Sequence, residues 1–308
     1  MTAPLLRLGT RGSPLALTQT GLVRDALAKA VPALAAPGAI EIVTIRTTGD
    51  VIQDRPLSEA GGKGLFVKEI EEALLRGRID AAVHSMKDMP TAQPPGLTIS
   101  AFLPREDARD VLIAGDLERI DDLPQGAIVG TSALRRKALL LHRRPDLRIV
   151  TLRGNVDTRL ARRADGTVQA TILALAGLKR LGKTGVGTAI PEAEMLPAVG
   201  QGAVCIEARA DDARTRGWLA AIDHEATGVR VRAEHAMLVV LDGSCRTPIA
   251  GHAILSGGEL HLRGLIARPD GSEVIATERR GSIAEAAALG RDAGDELKRR
   301  GGPGFFAD

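Results

Sequence analysis

The sequence predicts an α/β protein of two α/β lobes followed by a small α+β C-terminal domain. From Leu5 to about Leu175, short β-rich runs alternate with helical patterns, which is the signature of parallel strands joined by crossover helices. Past Trp218 the alternation gives way to a helix, three strand-like runs and a last helix. A chain of 308 residues with 44% hydrophobic content suits two or three compact domains better than one.

In the first lobe, Leu5 to Leu8, Glu41 to Arg46, Ile79 to His84 and Leu97 to Leu103 read as strands. Ser13 before Pro14 marks a helix start, with a side-chain cap and a preset first φ. Phe66, Ile70, Ala73 and Leu74 form an apolar helical stripe that stops at Gly77. The pattern resumes after Pro104 with strands near Asp110 to Ile113, Ala127 to Gly130, Arg148 to Leu152 and Thr171 to Leu173. Helices start between them near Ser132 and Val156. The last domain begins with a helix over Glu225 to Val240. Strands follow around Ile249 to Leu255, Leu260 to Ala267 and Glu273 to Glu278, expected to pair as a three-stranded antiparallel sheet, and an Ala-rich helix closes from Ser282. Thr47 to Gly64, broken by Pro56 and Gly61-Gly62, is long for a connection inside a domain and is expected to be a lid.

Composition excludes several function classes. Basic and acidic side chains number 41 and 38, so the net charge of +3 is too balanced for a general polyanion binder, and any anion site must be local. Tyr is absent and Phe and Trp total five, which leaves little for nucleobases to stack on. No nucleic-acid partner is expected. Cys205 and Cys245 are far apart and form no C-x-x-C pair, so neither a disulfide framework nor a metal site is expected. No run approaches the ~18 apolar residues of a membrane span, and no signal-peptide core follows Arg7. A soluble, cytoplasmic protein with no membrane partner is expected.

Arg outnumbers Lys 33 to eight, which codon bias alone would produce, so the placement of the Arg decides its meaning. Ile79 to Ser85 runs straight into Met86-Lys87-Asp88-Met89-Pro90, delivering polar groups to the carboxyl end of a strand, where open α/β sheets bind ligands. Asp88 beside Lys87 also reads as a solvated turn pair, and His84 as a satisfied interior residue. Gly130-Thr131-Ser132 stands between a strand and a helix, with Arg135 and Arg136 within one turn. Cations there oppose the helix dipole and ask for an anion, the alternative being a solvent-facing helix. Leu152-Arg153-Gly154-Asn155 repeats the arrangement, with Arg153 and Arg159 flanking the next helix start. Arg11 and Ser13 occupy a third such junction. Cys245, next to Arg246 in a Gly-containing loop, has the setting of either a nucleophilic thiol or an inert one, and Cys205 reads as core.

The blocks HSMKDMP, GTSALRR, LRGNVDTRL, LAGLKRLG, LPAVGQGAV and GSCRTPIAG, in this order, resemble the hydroxymethylbilane synthase (porphobilinogen deaminase) family. RLGTRGSPLAL and GGKGLFVKEIEEALL match as well, so the resemblance spans roughly residues 5 to 255. It implies two similar periplasmic-binding-protein-like lobes, 1–103 with a return segment 200–218, and 104–199, and a cofactor-carrying domain over 219–308. The implied enzyme, of tetrapyrrole biosynthesis, joins four porphobilinogen molecules head to tail, releasing ammonia and finally hydroxymethylbilane. Its primer is a dipyrromethane cofactor bound by thioether to the loop Cys, here Cys245, and its catalytic carboxylate is here Asp88. A carboxylate near the pyrrole N–H groups would stabilise the cationic azafulvene left by ammonia.

By the same resemblance Ser85, Lys87, Thr131, Ser132, Arg135, Arg136, Arg153 and Arg159 would hold the cofactor, with Phe66 packed on pyrrole rings. Arg11, Ser13, Lys63, Arg153, Arg159 and Arg180 would hold substrate carboxylates. A monomer is expected. Three residues depart from the pattern: Ala133 stands where the family often has a second Ser, Ser244 where a second Gly is frequent, and Glu59 where some members have Lys. A two-lobed anion receptor without chemistry would use the same Arg but gives the Cys245 loop no purpose. A nucleic-acid binder would need a continuous basic face.

Overall fold

A computed structural model describes residues 3–51, 64, 66–243 and 247–306. These fall into two compact units, one from residues up to 51, 64–105 and 203–228, the other from 106–202 and 229–306. In chain order the elements begin with β1 (Leu6–Thr10), α1 (Pro14–Ala30), β2 (Ile40–Thr44), α2 (Thr48–Val51), α3 (Lys68–Leu75), β3 (Ala81–Ser85) and β4 (Leu97–Phe102). Then come β5 (Asp110–Ile113), β6 (Ile128–Gly130), α4 (Leu134–Arg143), β7 (Arg148–Val150), α5 (Val156–Ala164), β8 (Ala170–Ala174), α6 (Leu175–Arg180) and β9 (Thr188–Ala189). The chain returns to the first unit with β10 (Val204–Arg209) and α7 (Ala213–Ala220). It ends in α8 (Glu225–Val240), β11 (Ile249–Ser256), β12 (Glu259–Ala267), β13 (Val274–Ser282) and α9 (Ala286–Gly301).

The first unit is built on a five-stranded sheet in the order β2-β1-β3-β10-β4. The Ser13 hydroxyl accepts from the Ala16 N–H, and Pro14 opens α1, as the Ser-Pro pair implies. Val23 and Leu27 of α1 join Leu6, Leu8, Val83, Val204 and Ile206 in one core, while Ile70 and Leu74 of α3 pack with Ile79 and Ala82 in another. β1 runs parallel to β2 and β3, the crossover arrangement read from the sequence. β10, however, is antiparallel to both of its neighbours, β3 and β4, so the sheet is mixed rather than parallel. Its apolar run is legible, but it arrives by a return of the chain and not by a local crossover, so composition gives no direction.

The second unit repeats this design with the strand order β7-β6-β8-β5-β9. β6 is parallel to β7 and β8, whereas β5 is antiparallel to β8 and β9. Leu112, Val129, Leu140, Ile172 and Leu196 fill its core, which Ala250 and Leu265 of the C-terminal sheet join. That sheet is the expected antiparallel β11-β12-β13, with a two-residue Gly257-Gly258 hairpin whose positive φ values (59° and 83°) suit a primed turn. Met237 of α8 and Leu297 of α9 share its core. α9 approaches α8 at Gly290, where a Cβ would lie 2.1 Å from the Ala233 carbonyl oxygen. No helix among the described residues is long and apolar enough to cross a membrane.

Candidate active site

In the first unit the carboxyl ends of β1 and β3 lie side by side, because the two strands are parallel neighbours. β3 ends at Ser85, and Met86–Asp88 form a single 3₁₀ turn that is tied down by a hydrogen bond from the Met86 N–H to the Ala203 carbonyl (3.0 Å). The turn carries Lys87 and Asp88, both half-buried, while Met86 is buried. Across from it, Arg11 follows β1 and places its guanidinium 4.1 Å from the centre of the Phe66 ring, a cation–π contact. A cavity of about 90 Å³ is lined by Arg11, Ser13, Phe66, Ser85, Lys87 and Asp88. Six of the expected site residues thus share one small space.

Gln19 also lines this cavity and escaped sequence reading. It is buried on α1 and exchanges hydrogen bonds with the Ser85 hydroxyl at 3.0 and 3.1 Å. Its signal is a polar side chain on the face of α1 that buries Thr20, Val23 and Leu27. His84, read as interior, is buried at 5% exposure, with Nε2 3.4 Å from Glu207 Oε2. Cys205 is buried as expected; burial first, then the charges of Glu207 and Asp88, push its thiol up.

The second unit brings two more strand ends together, since β6 and β7 are parallel neighbours. Thr131 is buried and its hydroxyl accepts from the Ala133 N–H at 3.2 Å, while Ser132 is exposed. Asn155 caps α5 by accepting from the Thr158 N–H at 2.9 Å. Arg153 and Arg159 are half-buried at that junction, and Arg159 Nε donates to the Gly154 carbonyl at 2.9 Å. Arg180 donates to the Gly202 carbonyl at 2.8 Å; burial lowers its pKa, opposed by Glu106.

Arg135 and Arg136 are where the structure answers a question the sequence left open. Neither faces solvent: both are 5% exposed, and their NH2 groups grip the two oxygens of Asp110 at 2.7 and 2.8 Å. Their NH1 groups donate to the Leu196 and Ile172 carbonyls, each at 2.8 Å. An anion does offset them against the helix dipole, and it is a side chain of the protein itself. Burial would raise the Asp110 pKa, but the two guanidinium groups override it and hold the carboxyl well below its usual range. The only sequence signal for Asp110 is a charged residue opening an otherwise apolar strand, DVLI.

Lys63 and Cys245 lie outside the described residues, as do Glu59, Ser244 and most of the expected lid. Of Thr47 to Gly64, the described part is the short helix α2, Thr47 before it, and Gly64. Thr48 is bonded through both its N–H and its hydroxyl to the Glu69 carboxylate.

Fold and site define a class: a two-sheet α/β protein with a small third sheet, presenting cations, hydroxyls and one carboxylate at the ends of its parallel strands. Residues 6–217 match the family described as porphobilinogen deaminase, dipyromethane cofactor binding domain, and residues 229–299 match porphobilinogen deaminase, C-terminal domain. The chain is 57% identical to the porphobilinogen deaminase of Paracoccus denitrificans over 98% of its own length and 96% of the relative's. It is 51% identical to the chloroplastic porphobilinogen deaminase of Oryza sativa over 98% of its length and 86% of that protein's. Among solved structures it resembles the periplasmic aliphatic sulphonate binding protein SsuA of Escherichia coli at 18% identity, covering 76% of this chain and 69% of that one with a TM-score of 0.42. The chain belongs to the porphobilinogen deaminase family, the deaminating transferases of tetrapyrrole biosynthesis built around a dipyrromethane cofactor.

Proposed function

We propose that this enzyme condenses four porphobilinogen molecules head to tail into hydroxymethylbilane, with Asp88 as the catalytic carboxylate of the ammonia-releasing step. The observation that carries this assignment is the shared cavity of about 90 Å³, in which Asp88 stands among Arg11, Ser13, Ser85 and Lys87. Porphobilinogen bears an acetate and a propionate. Arg11, Ser13 and Lys87 supply a donor set for those acids, leaving Asp88 free to act on the ring. As ammonia departs from the aminomethyl group, positive charge spreads over the substrate pyrrole and acidifies its N–H. A carboxylate fixed beside that N–H lowers the energy of the developing cation, and more so where water is scarce. Phe66, under the Arg11 guanidinium, offers an apolar face to a ring.

The cofactor, when bound, supplies the pyrrole carbon that receives the first addition. The donor chemistry of the second unit fits it: Nε of both Arg135 and Arg136 is buried with no hydrogen-bond acceptor among the described residues. We assign Cys245 as the thioether attachment point. Ser85, Lys87, Thr131, Ser132, Arg135, Arg136, Arg153 and Arg159 are its holding groups, and Lys63, Arg153, Arg159 and Arg180 join Arg11 and Ser13 on substrate. Three separate sheets support a division into domains 1–103 with 200–218, 104–199 and 219–308. A cytoplasmic monomer completes the reading.

The test is single-turnover ammonia release from cofactor-loaded Asp88→Asn, which keeps size and one acceptor but loses the charge. Release should fall at least 10²- to 10⁴-fold, the range of acid–base contributions alone. Parental release would remove Asp88 from the role.

A further inference from the structure

Beside the Asp88 cavity lies a group of buried ionisable side chains with no part in the ammonia-releasing step proposed for Asp88. His84 lines that cavity and directly precedes Ser85 and the Met86–Asp88 turn. Its Nε2 lies 3.4 Å from Oε2 of Glu207, a fully buried carboxylate on the adjacent antiparallel strand β10. Neither Glu207 oxygen, nor His84 Nε2, has a hydrogen-bond partner among the described residues. Glu71, from α3, is also buried and is electrostatically coupled to both residues. Burial, then the charge of Glu207, pushes the Glu71 carboxyl up to about 7, and His84 opposes the shift.

As a stabilising device this cluster is poor. Buried ion pairs gain little over apolar packing of the same volume, and a second carboxylate adds desolvation cost. Its position is what distinguishes it. β10 approaches His84 twice, with the Glu207 carboxylate 3.4 Å from the ring nitrogen and the Cys205 thiol donating to the His84 carbonyl at 3.8 Å. The start of the same strand segment holds the turn, through the Ala203 carbonyl and the Met86 N–H.

We propose that Glu207 is a positioning residue for the reaction, acting through His84: the pair fixes the ring in the cavity wall and, with it, the turn that presents Asp88. The proposal rests on Asp88 carrying the ammonia-releasing step. The titratable groups electrostatically linked to the pair are Glu71, from α3, and Cys205, from β10, and the charge of Asp88 in the turn acts on Cys205.

The experiment compares holoenzyme Glu207→Gln, Glu207→Asp and the parent for covalent cofactor content, KM for porphobilinogen, and kcat from pH 6 to 9. Misplacing a reacting group by about 1 Å costs on the order of 10²-fold. We therefore expect kcat of Glu207→Gln to fall about 10- to 100-fold with KM within about twofold, and Glu207→Asp to recover part of the loss. Parental kcat in Glu207→Gln overturns the proposal, as does a loss of kcat/KM that lies wholly in KM. Should Glu207→Gln fail to fold, Glu207→Asp decides: a reduced kcat with KM within about twofold supports the proposal, and parental kcat overturns it. Asp88→Asn in the same series separates the two ideas. If it releases ammonia at the parental rate, the Asp88 reading fails; if it is impaired while Glu207→Gln is not, only this inference fails.

Discussion

Replacing Asp110 with Asn removes one negative charge from the interior of the second unit and leaves two guanidinium groups facing an amide. The carboxylate has no exposed surface, and the two Arg that grip it are 5% exposed. Gln201 Nε2 donates to the same Oδ1 that Arg136 uses, at 2.9 Å, so three donors converge on the site. Removing one partner of a buried pair costs about 3–5 kcal/mol, because the remaining charge keeps its desolvation cost and loses its counter-ion. At a few degrees per kcal/mol for a chain of this size, the unfolding midpoint should drop on the order of 10 °C at neutral pH. Thermal unfolding of the holoenzyme followed by circular dichroism measures it. The pH dependence provides a second reading. Asp110 has a depressed pKa in the folded state, so its contribution is fully present above the unfolded carboxylate value of ~3.9 and is lost as pH falls below it. The gap between parent and variant should be constant above about pH 5 and narrow in acid. Asp146→Asn, which loses a surface pair with Arg144, should move the midpoint far less. Equal midpoints for parent and Asp110→Asn would show that the buried triad is not a structural element.

Glu71 titrates with the opposite sign. Its folded pKa is raised to about 7, so its contribution is complete below the unfolded value of ~4.3 and is lost as pH rises through about 7. Glu71→Gln should therefore be more stable than the parent at pH 8 and gain nothing at pH 4, as read from midpoints at both. Lys in place of Arg153 or Arg159 keeps the charge but loses two-pronged geometry, so it should impair cofactor assembly or elongation, measured as covalent pyrrole content and product length. Gly290→Ala forces a methyl against the Ala233 carbonyl and should cost about 1–3 kcal/mol in chemical denaturation, with activity per folded molecule unchanged.

Local signals in the sequence were the readable ones. Ser13-Pro14 fixes where α1 begins, Gly77 follows the end of α3, and Gly257-Gly258 turns the third sheet, because each acts on backbone within a few residues. HSMKDMP placed Asp88 at a strand end for the same reason, and the cavity gathers it with Arg11, Ser13 and Phe66. What stayed hidden is pairing across distance. Asp110 meets Arg135 and Arg136 of α4 from some 25 residues away, and Glu207 reaches His84 on the neighbouring strand from 123 residues away, pairings that no periodicity specifies. The direction of β10 was hidden on the same ground. Gln19 lies between: its place on the buried face of α1 was readable, but its partner Ser85, 66 residues on, was not.

A polypyrrole built on a primer attached at Cys245 and governed by Asp88 would leave its mark in the intact mass of the purified, denatured protein. The expected mass exceeds that of the 308-residue chain by one dipyrromethane, together with a positive Ehrlich-type colour reaction. Both should be lost in Cys245→Ser and kept in Cys205→Ser. An unmodified parental mass from active enzyme, or the same adduct on Cys245→Ser, would contradict it.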